Sequence, residues 1–284
     1  MCSRGACLGY SCAKHLFLNQ FHLSTMVKPI ILIVPGGFTL PELYSDVITH
    51  VASKGYPIEA LHLPSVGYKT SVPGTMQDDA AFIASEISKH ADEGKDVVLI
   101  AHSYGGLPAT ESAKELSKAD RQRQGKSGGL VRLAYISCII LPVGESDASV
   151  IMPDDMLPRA APFEIRIDDD GWLHQTDIST AVSYVFNDLP KKQAEKWAKM
   201  STRHSGSTFP ASLSHAGFKD VPVSYLLCTK DLAQEPELQR ASIAMMERQG
   251  GKVDVTEIDA GHAPNASRPK EVADWIISIA ERSS

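Results

Sequence analysis

A chain of 284 residues can bury one large hydrophobic core, so a single domain carrying an insertion fits better than two independent domains. A hydrophobic fraction of 43% with 22% charged residues is ordinary for a soluble globular protein, and a net charge of -6 offers no attraction for nucleic acid or an anionic membrane. No apolar run approaches the length of a membrane span, and five cysteines are too few for a disulfide scaffold, which makes reduced cytoplasm the default compartment.

The first 25 residues differ in character from the rest. Cys2, Cys7 and Cys12 crowd them, Arg4 and Lys14 are present, and no acidic residue occurs before Glu42. The apolar patch around Leu16-Phe17-Leu18 is short and interrupted, a poor fit to a secretory signal. A mitochondrial-type targeting peptide is the other reading of such a segment. The preferred one is a disordered extension ahead of a start at Met26, adding nothing to fold or site.

Pro29 to Val34 is a continuous apolar run, as expected for a strand buried on both faces of a parallel sheet, and it ends in Pro35-Gly36-Gly37-Phe38. Tyr44, Val47, Ile48 and Val51 then repeat with helical spacing up to Gly55. Ile58–Leu63 reads as the next strand, and a loop from Pro64 to Gly74 leads to a helix near Asp78–His90 that buries Phe82, Ile83 and Ile87. Asp96 to Ala101 is a β-branched apolar run that drives into His102-Ser103-Tyr104-Gly105-Gly106, and a helix is expected from there to about Lys118. Alternation of this kind predicts a parallel sheet covered by helices on both faces, with right-handed crossovers.

Arg121 to Gly129 reads as a flexible polar loop. Its Gly125-Lys126-Ser127 invites a phosphate-loop reading, which fails because Asp120 stands where the first glycine is required. Leu130–Leu141 is a further strand. From 143 to 216 the apolar runs break up, and Phe163–Ile167 and Trp172–His174, joined through Asp170-Gly171, form a hairpin pattern. Two helical stretches follow, near Ile178–Asn187 and Lys191–Ser201. This block is expected to be a mainly helical cap inserted into a core made of 26–142 and 217–284. The core pattern resumes with Val223–Cys228, a helix near Pro236–Gln249, the strand Val253–Ile258 and a last helix carrying Val272, Trp275, Ile276, Ile279 and Ala280 on one face.

The strand, the small-x-Ser-x-Gly pentapeptide and the helix after it form the context of a nucleophile elbow, whose sharp turn demands small residues at Ala101 and Gly105. A serine needs a base to take its proton and a third group to orient that base. Of the ten histidines, His262 alone sits in a glycine-flanked turn directly after a core strand, where loops reach the active edge of a parallel sheet. His102 adjoins Ser103 but points elsewhere on an elbow. His50 and His90 lie on solvent-facing helix positions, and His174, His204 and His215 fall in or beside the insertion. Asp231, past Val223–Cys228, is the expected orienting acid, with Asp147 as its competitor; Asp254, Glu257 and Asp259 are nearer in sequence but lie in or beside the last strand. Donors for an oxyanion are expected from the N–H groups of Tyr104, at a helix start, and Gly37, with Phe38 next.

The segments PGGF, AHSYGG, YLLCTKDLAQEPELQR and DAGHAPNASRP resemble the α/β-hydrolase superfamily, and within it the small-cap branch of plant methylesterases, hydroxynitrile lyases and related fungal and bacterial hydrolases. The resemblance spans roughly residues 28 to 280 and implies an α/β-hydrolase fold. Two departures matter. Ala101 stands where glycine is commoner, and Ala263 follows His262 where the resembling lyases carry a lysine that helps handle cyanide. The resulting expectation is a serine esterase or lactonase acting on a small, largely apolar substrate. Ser103 attacks, His262 shuttles the proton, Asp231 orients it, and Gly37 and Tyr104 hold the oxyanion. Phe38, Trp172, Tyr184 and Phe186 are the candidate wall residues, with core packing an equally good account of each. No cofactor is needed, no His/Cys/Asp/Glu group has metal-ligand spacing, and a homodimer is compatible with the composition. A lyase or cyclase that keeps the same residues, and a small-ligand receptor with little turnover, remain open alternatives.

Overall fold

The structure is a computed structural model that describes residues 28–146 and 163–283. The first core elements are β1 (Ile30–Val34), α1 (Ser45–Ser53), β2 (Ile58–Ala60), α2 (Met76–Asp92), β3 (Asp96–His102), α3 (Gly106–Ser112), α4 (Lys118–Arg123) and β4 (Gly129–Ile136). Between the core strands come β5 (Ile165–Ile167), β6 (Trp172–Gln175), α5 (Ile178–Thr180) running into a π-helical turn at Ala181–Val185, α6 (Lys191–Ala198) and β7 (His204–Ser205). The chain closes with β8 (Val223–Cys228), α7 (Pro236–Arg248), β9 (Val253–Ile258), α8 (Pro264–Ser267) and α9 (Pro269–Glu281). The expected N-terminal extension lies outside the described residues. No described helix is long and apolar enough to cross a membrane.

Six parallel strands form the main sheet in the order β2-β1-β3-β4-β8-β9. Because side chains alternate across a strand, each apolar run feeds two cores. Leu32, Val34, Val97 and Leu99 face one layer with Ile83, Ile87 and Met246, while Ile31, Ile33, Val98 and Ile100 face the other with Val47, Trp275 and Ile276. Helices on both faces supply those partners, and α2 begins on a capping box: the Thr75 hydroxyl accepts from Asp78 N–H, and the Asp78 carboxylate accepts from Thr75 N–H. The segment between β4 and β8 holds a small antiparallel sheet, β5-β6-β7, in which Ile165 pairs with Gln175 and Leu173 with His204. The Asp170-Gly171 turn is as expected, with Gly171 at φ +89.

Several boundaries differ from the pattern-based expectation, each for a local reason. β2 pairs for only three residues, Ile58–Ala60, although Leu61 and Leu63 remain buried. The helix after the elbow stops at Ser112 and Glu115 turns left-handed at φ +61; a fresh helix starts at Lys118 with Ser117 as its cap. β4 ends at Ile136, where Ser137 takes φ +49, so Cys138 and Ile140 are buried outside the ladder. Phe82 is only partly buried and carries the Lys69 ammonium 3.4 Å above its ring. His90 does not face solvent: it is 9% exposed, with Nε2 3.1 Å from Glu59 Oε1.

The stretch after α4 is pinned down. Arg121 is buried and its guanidinium donates to the Ser127 and Gly128 carbonyls, both at 3.3 Å, and to Asp92 at 2.7 Å. Three acceptors on one fork convert a polar loop into a fixed turn. Arg121→Met should therefore cost about 1–3 kcal/mol, the range for stranding buried acceptors. It should do so without changing kcat/KM on any substrate, because this turn lies at the N-terminal end of β4, away from the site. Chemical denaturation alongside steady-state kinetics checks both halves.

Candidate active site

Parallel pairing brings the C-terminal ends of the core strands to one edge. Val34 of β1 lies beside Ala101 of β3, His102 beside Ile136 of β4, and Cys228 of β8 beside Ile258 of β9. The loops that begin at Pro35, Ser103, Thr229 and Asp259 therefore leave the sheet together. Ser103, Asp231 and His262, far apart in sequence, meet there.

Ser103 sits at φ +52, in the left-handed region that a residue with a Cβ rarely adopts. Strain of this kind costs on the order of 1–3 kcal/mol and persists only where the surroundings enforce it. Here they do. A Cβ at position 105 would come within 2.6 Å of the Pro35 carbonyl oxygen and 2.7 Å of that of Val34, so only glycine lets the turn close against β1.

His262 Nε2 lies 2.9 Å from Ser103 Oγ, and His262 Nδ1 lies 2.8 Å from Asp231 Oδ2. A carboxylate only accepts, so Nδ1 carries the proton and the Nε2 lone pair faces the serine hydroxyl. Asp231 is 1% exposed, and its lone pairs are occupied: Oδ1 accepts from Ala233 and Gln234 N–H, both at 2.8 Å, and Oδ2 also accepts from Gln239 Nε2 at 3.2 Å. Gln239 is a residue that sequence reasoning missed. It is fully buried on α7 and also binds both backbone groups of Cys228, which ties the carboxylate to the end of β8. Its only sequence signal was a polar residue on the buried face of an amphipathic helix.

His102 has a defined structural job. The His262 carbonyl can only accept, so His102 Nε2–H donates to it at 2.8 Å, and His102 Nδ1 accepts from the Tyr44 hydroxyl at 2.7 Å. The Tyr44 oxygen in turn accepts from Gly36 N–H at 3.3 Å. One neutral imidazole thus links the loop after β1 to the backbone of His262. Burial pushes its pKa down to about 3, so it stays uncharged while doing so.

The competing acids are engaged elsewhere. Asp254 pairs with Arg282, Glu257 with Arg240 and Asp259 with Lys230, all on the surface. Asp147 lies outside the described residues. His50 pairs with Asp274, His174 with Asp168 and His215 with Asp220. His204 is fully buried, packed against Phe38, Tyr104 and Phe209.

Residues 31–275 match the model of the alpha/beta hydrolase family. The chain belongs to that family. It is 35% identical over 257 residues to a "Probable hydrolase R7" of Phoma sp. (strain ATCC 20986 / MF5453), covering 90% of this chain and 99% of that protein. It is 30% identical over 255 residues to an alpha/beta hydrolase, nvfD, of Aspergillus novofumigatus (strain IBT 16806), covering 90% and 98%. Among solved structures, a pyrethroid hydrolase from Sphingobium faniae JZ-2 shares the fold at a TM-score of 0.66 and 18% identity, over 89% of this chain and 97% of that one.

In this α/β hydrolase, Ser103 and His262 border a cavity of about 420 Å³. Its walls are mostly apolar, with Phe38, Leu43, Leu107 and Leu238 from the core and Val185 and Phe186 from the intervening segment. Two of the expected wall residues are elsewhere. Trp172 is wholly buried beneath the Arg203 guanidinium, 3.7 Å from its ring, and packs the β5-β6-β7 unit. Tyr184 is not on the wall; Val185, the last residue of the π-helical turn, and Phe186, its cap, are. The Tyr104 ring is anchored rather than free: its hydroxyl donates at 2.6 Å to Asp79, a wholly buried carboxylate that also accepts from Ser65 N–H at 2.9 Å. Remote from the site, the fold does bring Glu59, Glu86 and His90 together, with ligand atoms within 4.8 Å of one another, a grouping that linear spacing hid because β2 and α2 supply it jointly.

His102 and His204 both have pKa values pushed down to about 3 by burial, against an ordinary 6.5. Below pH 6.5 the unfolded chain takes up protons there that the folded chain refuses, so stability falls as pH drops from 6.5 towards 3. Each histidine contributes at most about 1.4 kcal/mol per pH unit to that slope. Urea midpoints between pH 7 and pH 4 should decline, and His102→Gln should decline less steeply than the wild type; equal slopes would contradict the assignment.

Proposed function

We propose that this α/β hydrolase is a serine esterase or lactonase acting on a small, largely apolar ester or lactone beneath a cap formed by residues 143–216. The observation that carries the reading is the hydrogen-bonded relay from Asp231 through His262 to Ser103 Oγ at the wall of the apolar cavity. His262 Nε2 takes the serine proton as Oγ attacks the ester carbonyl, and Asp231 stabilises the imidazolium that forms. The tetrahedral intermediate collapses by releasing the alcohol, which takes the proton from His262 and leaves an acyl-serine. Water then enters, gives its proton to His262, attacks the acyl carbon, and Ser103 is regenerated as the acid departs.

The negative oxygen of the intermediate needs donors in place beforehand. Tyr104 N–H belongs to the first turn of a helix, where N–H groups have no intrahelical acceptor. In the loop after β1, Gly36 N–H is occupied by Tyr44, while the N–H groups of Gly37 and Phe38 have no acceptor among the described residues. A Cβ on Gly37 would sit 3.7 Å from that of Tyr104, a closeness of the two residues that supports reading them as the pair of donors. Ala263 lies on the cavity wall in place of the lysine of the resembling lyases, which weighs against cyanohydrin cleavage.

Asp231→Asn should keep the fold and lower kcat by roughly 10³–10⁴-fold, because an amide at that position stabilises the wrong tautomer of His262 and no imidazolium. Steady-state kinetics on p-nitrophenyl esters of graded chain length reads this directly; an Asp147→Asn variant with the same loss, and an active Asp231→Asn, would transfer the role to Asp147.

Ser103→Ala removes one oxygen from a mostly apolar site, so ligand binding should survive while turnover drops by roughly 10⁵–10⁶. The wild type should show a burst of p-nitrophenol and a mass increase equal to the acyl group, both absent in Ser103→Ala. Retained activity in the variant would exclude covalent catalysis, and wild-type binding without acylation would favour a receptor.

A further inference from the structure

Ser103 is held in its strained turn from two sides. The peptide unit that joins Ser103 to Tyr104 carries a candidate N–H donor, so any relaxation of the Ser103 φ of +52 swings that N–H. Gly105 blocks one route, because it is wedged against the Val34 and Pro35 carbonyls. The second hold is at the far end of the Tyr104 side chain, whose hydroxyl donates at 2.6 Å to Asp79 Oδ2. A tyrosine ring turns on only two side-chain torsions, so fixing its oxygen leaves the backbone at that residue little freedom.

Asp79 lies in the first turn of α2 and is wholly buried. The bonds its carboxylate accepts among the described residues come from neutral donors: Ser65 N–H at 2.9 Å on Oδ1, and the hydroxyls of Ser65 and Tyr104 on Oδ2. Desolvation pushes its pKa above the ordinary carboxylate value, and the hydroxyl bonds pull the other way. The helix start favours negative charge, yet an apolar residue of similar size would carry no desolvation cost at all. What the acid supplies is direction. One oxygen receives both hydroxyls, so the tip of Tyr104 is fixed against Ser65. Ser65 is in turn tied to β7, its carbonyl accepting from Ser205 N–H at 2.8 Å, and the Tyr104 ring stands edge-on to His204 of the same strand, 4.7 Å between centroids. A single carboxylate thus joins α2, the loop after β2 and the residue next to the nucleophile.

We propose that Asp79 is a positioning residue that acts through the Tyr104 hydroxyl to hold the Ser103–Tyr104 peptide with its N–H toward the negative oxygen of the tetrahedral intermediate. This deepens the serine esterase or lactonase reading and rests on it. No proton moves and no bond changes at Asp79. Because the oxyanion exists only after attack, the contribution falls on the transition state and leaves ground-state binding alone.

Tyr104→Phe removes only the donor oxygen, and Asp79→Leu removes its acceptor at similar volume. Each should slow the acylation burst with p-nitrophenyl hexanoate by about 10–10²-fold, less than outright loss of an oxyanion donor costs. An alkyl trifluoromethyl ketone, which forms an oxyanion adduct with Ser103, should lose affinity by a similar factor, while the matching methyl ketone, bound without an adduct, should keep its dissociation constant. In the double variant the losses should not multiply, because either change alone breaks the same link. Lower urea midpoints with unchanged acylation, an equal loss of affinity for both ketones, or losses that multiply would each overturn the proposal. Where Asp79→Leu does not fold, Tyr104→Phe decides alone through its acylation rate and the ratio of the two ketone constants. A wild type that binds the methyl ketone but never acylates overturns the esterase reading and this inference together, whereas normal wild-type acylation with unaffected variants overturns this inference alone.

Discussion

The backbone of Ser103 is the constraint on which the rest of the molecule depends. A left-handed serine at the end of β3 is strained, and the strain persists because Gly105 is wedged against the Val34 and Pro35 carbonyls. That wedge exists only if β1 and β3 keep their register, Val34 beside Ala101. The register is locked by two separate hydrophobic layers fed by alternate residues of the same strands. A one-residue slip would exchange the two layers and pull the carbonyls away from Gly105. Burial of order 0.8 kcal/mol per methylene, summed over both layers, easily outweighs about 1–3 kcal/mol of local strain.

A second set of bonds converts a well-placed serine into a well-placed constellation. Gly36 N–H, the Tyr44 hydroxyl, the His102 ring and the His262 carbonyl form one directional chain in which each group has a single available role. It works because His102 stays neutral: a protonated ring would carry a donor at Nδ1 and face the Tyr44 oxygen in a different sense. Gln239 does the corresponding work for Asp231. The relay is thus supported from behind at both ends, by buried amide and imidazole groups and not by exposed charge.

Residues whose placement follows from local pattern were legible in the sequence. Ser103, His262 and Asp231 each follow a buried strand that could be recognised from its apolar run, and the parallel topology implied by the alternation places such loops at one edge. Residues whose roles depend on what folds against them were not. Trp172 and Tyr184 are aromatic residues in a segment with little periodicity, and nothing local indicates that Trp172 is buried beneath the Arg203 guanidinium while Val185 and Phe186, and not Tyr184, border the cavity. Arg121 looked like loop polarity because its partners, the carbonyls of 127 and 128 and Asp92, declare themselves only when α2 and β4 converge. His90 misled for the related reason that its neighbour Glu59 sits on an adjacent strand.

The segment between β4 and β8 does more than shape the cavity. Asn187 Nδ2 donates to the Lys230 carbonyl, Asp188 accepts from Gly261 N–H, and the Val185 carbonyl accepts from Ala263 N–H. A Cβ at position 261 would press on the ends of the Asn187 and Asp188 side chains, the latter at 2.9 Å, so a larger residue there would push both out of these contacts. These bonds reach the loop of Asp231 on one side and that of His262 on the other. The same short stretch that borders the cavity through Val185 and Phe186 therefore also holds the loops of Asp231 and His262. Cavity shape and the placement of His262 are coupled through the backbone here, so a side-chain change along this turn that reshapes the cavity also loads the position of His262.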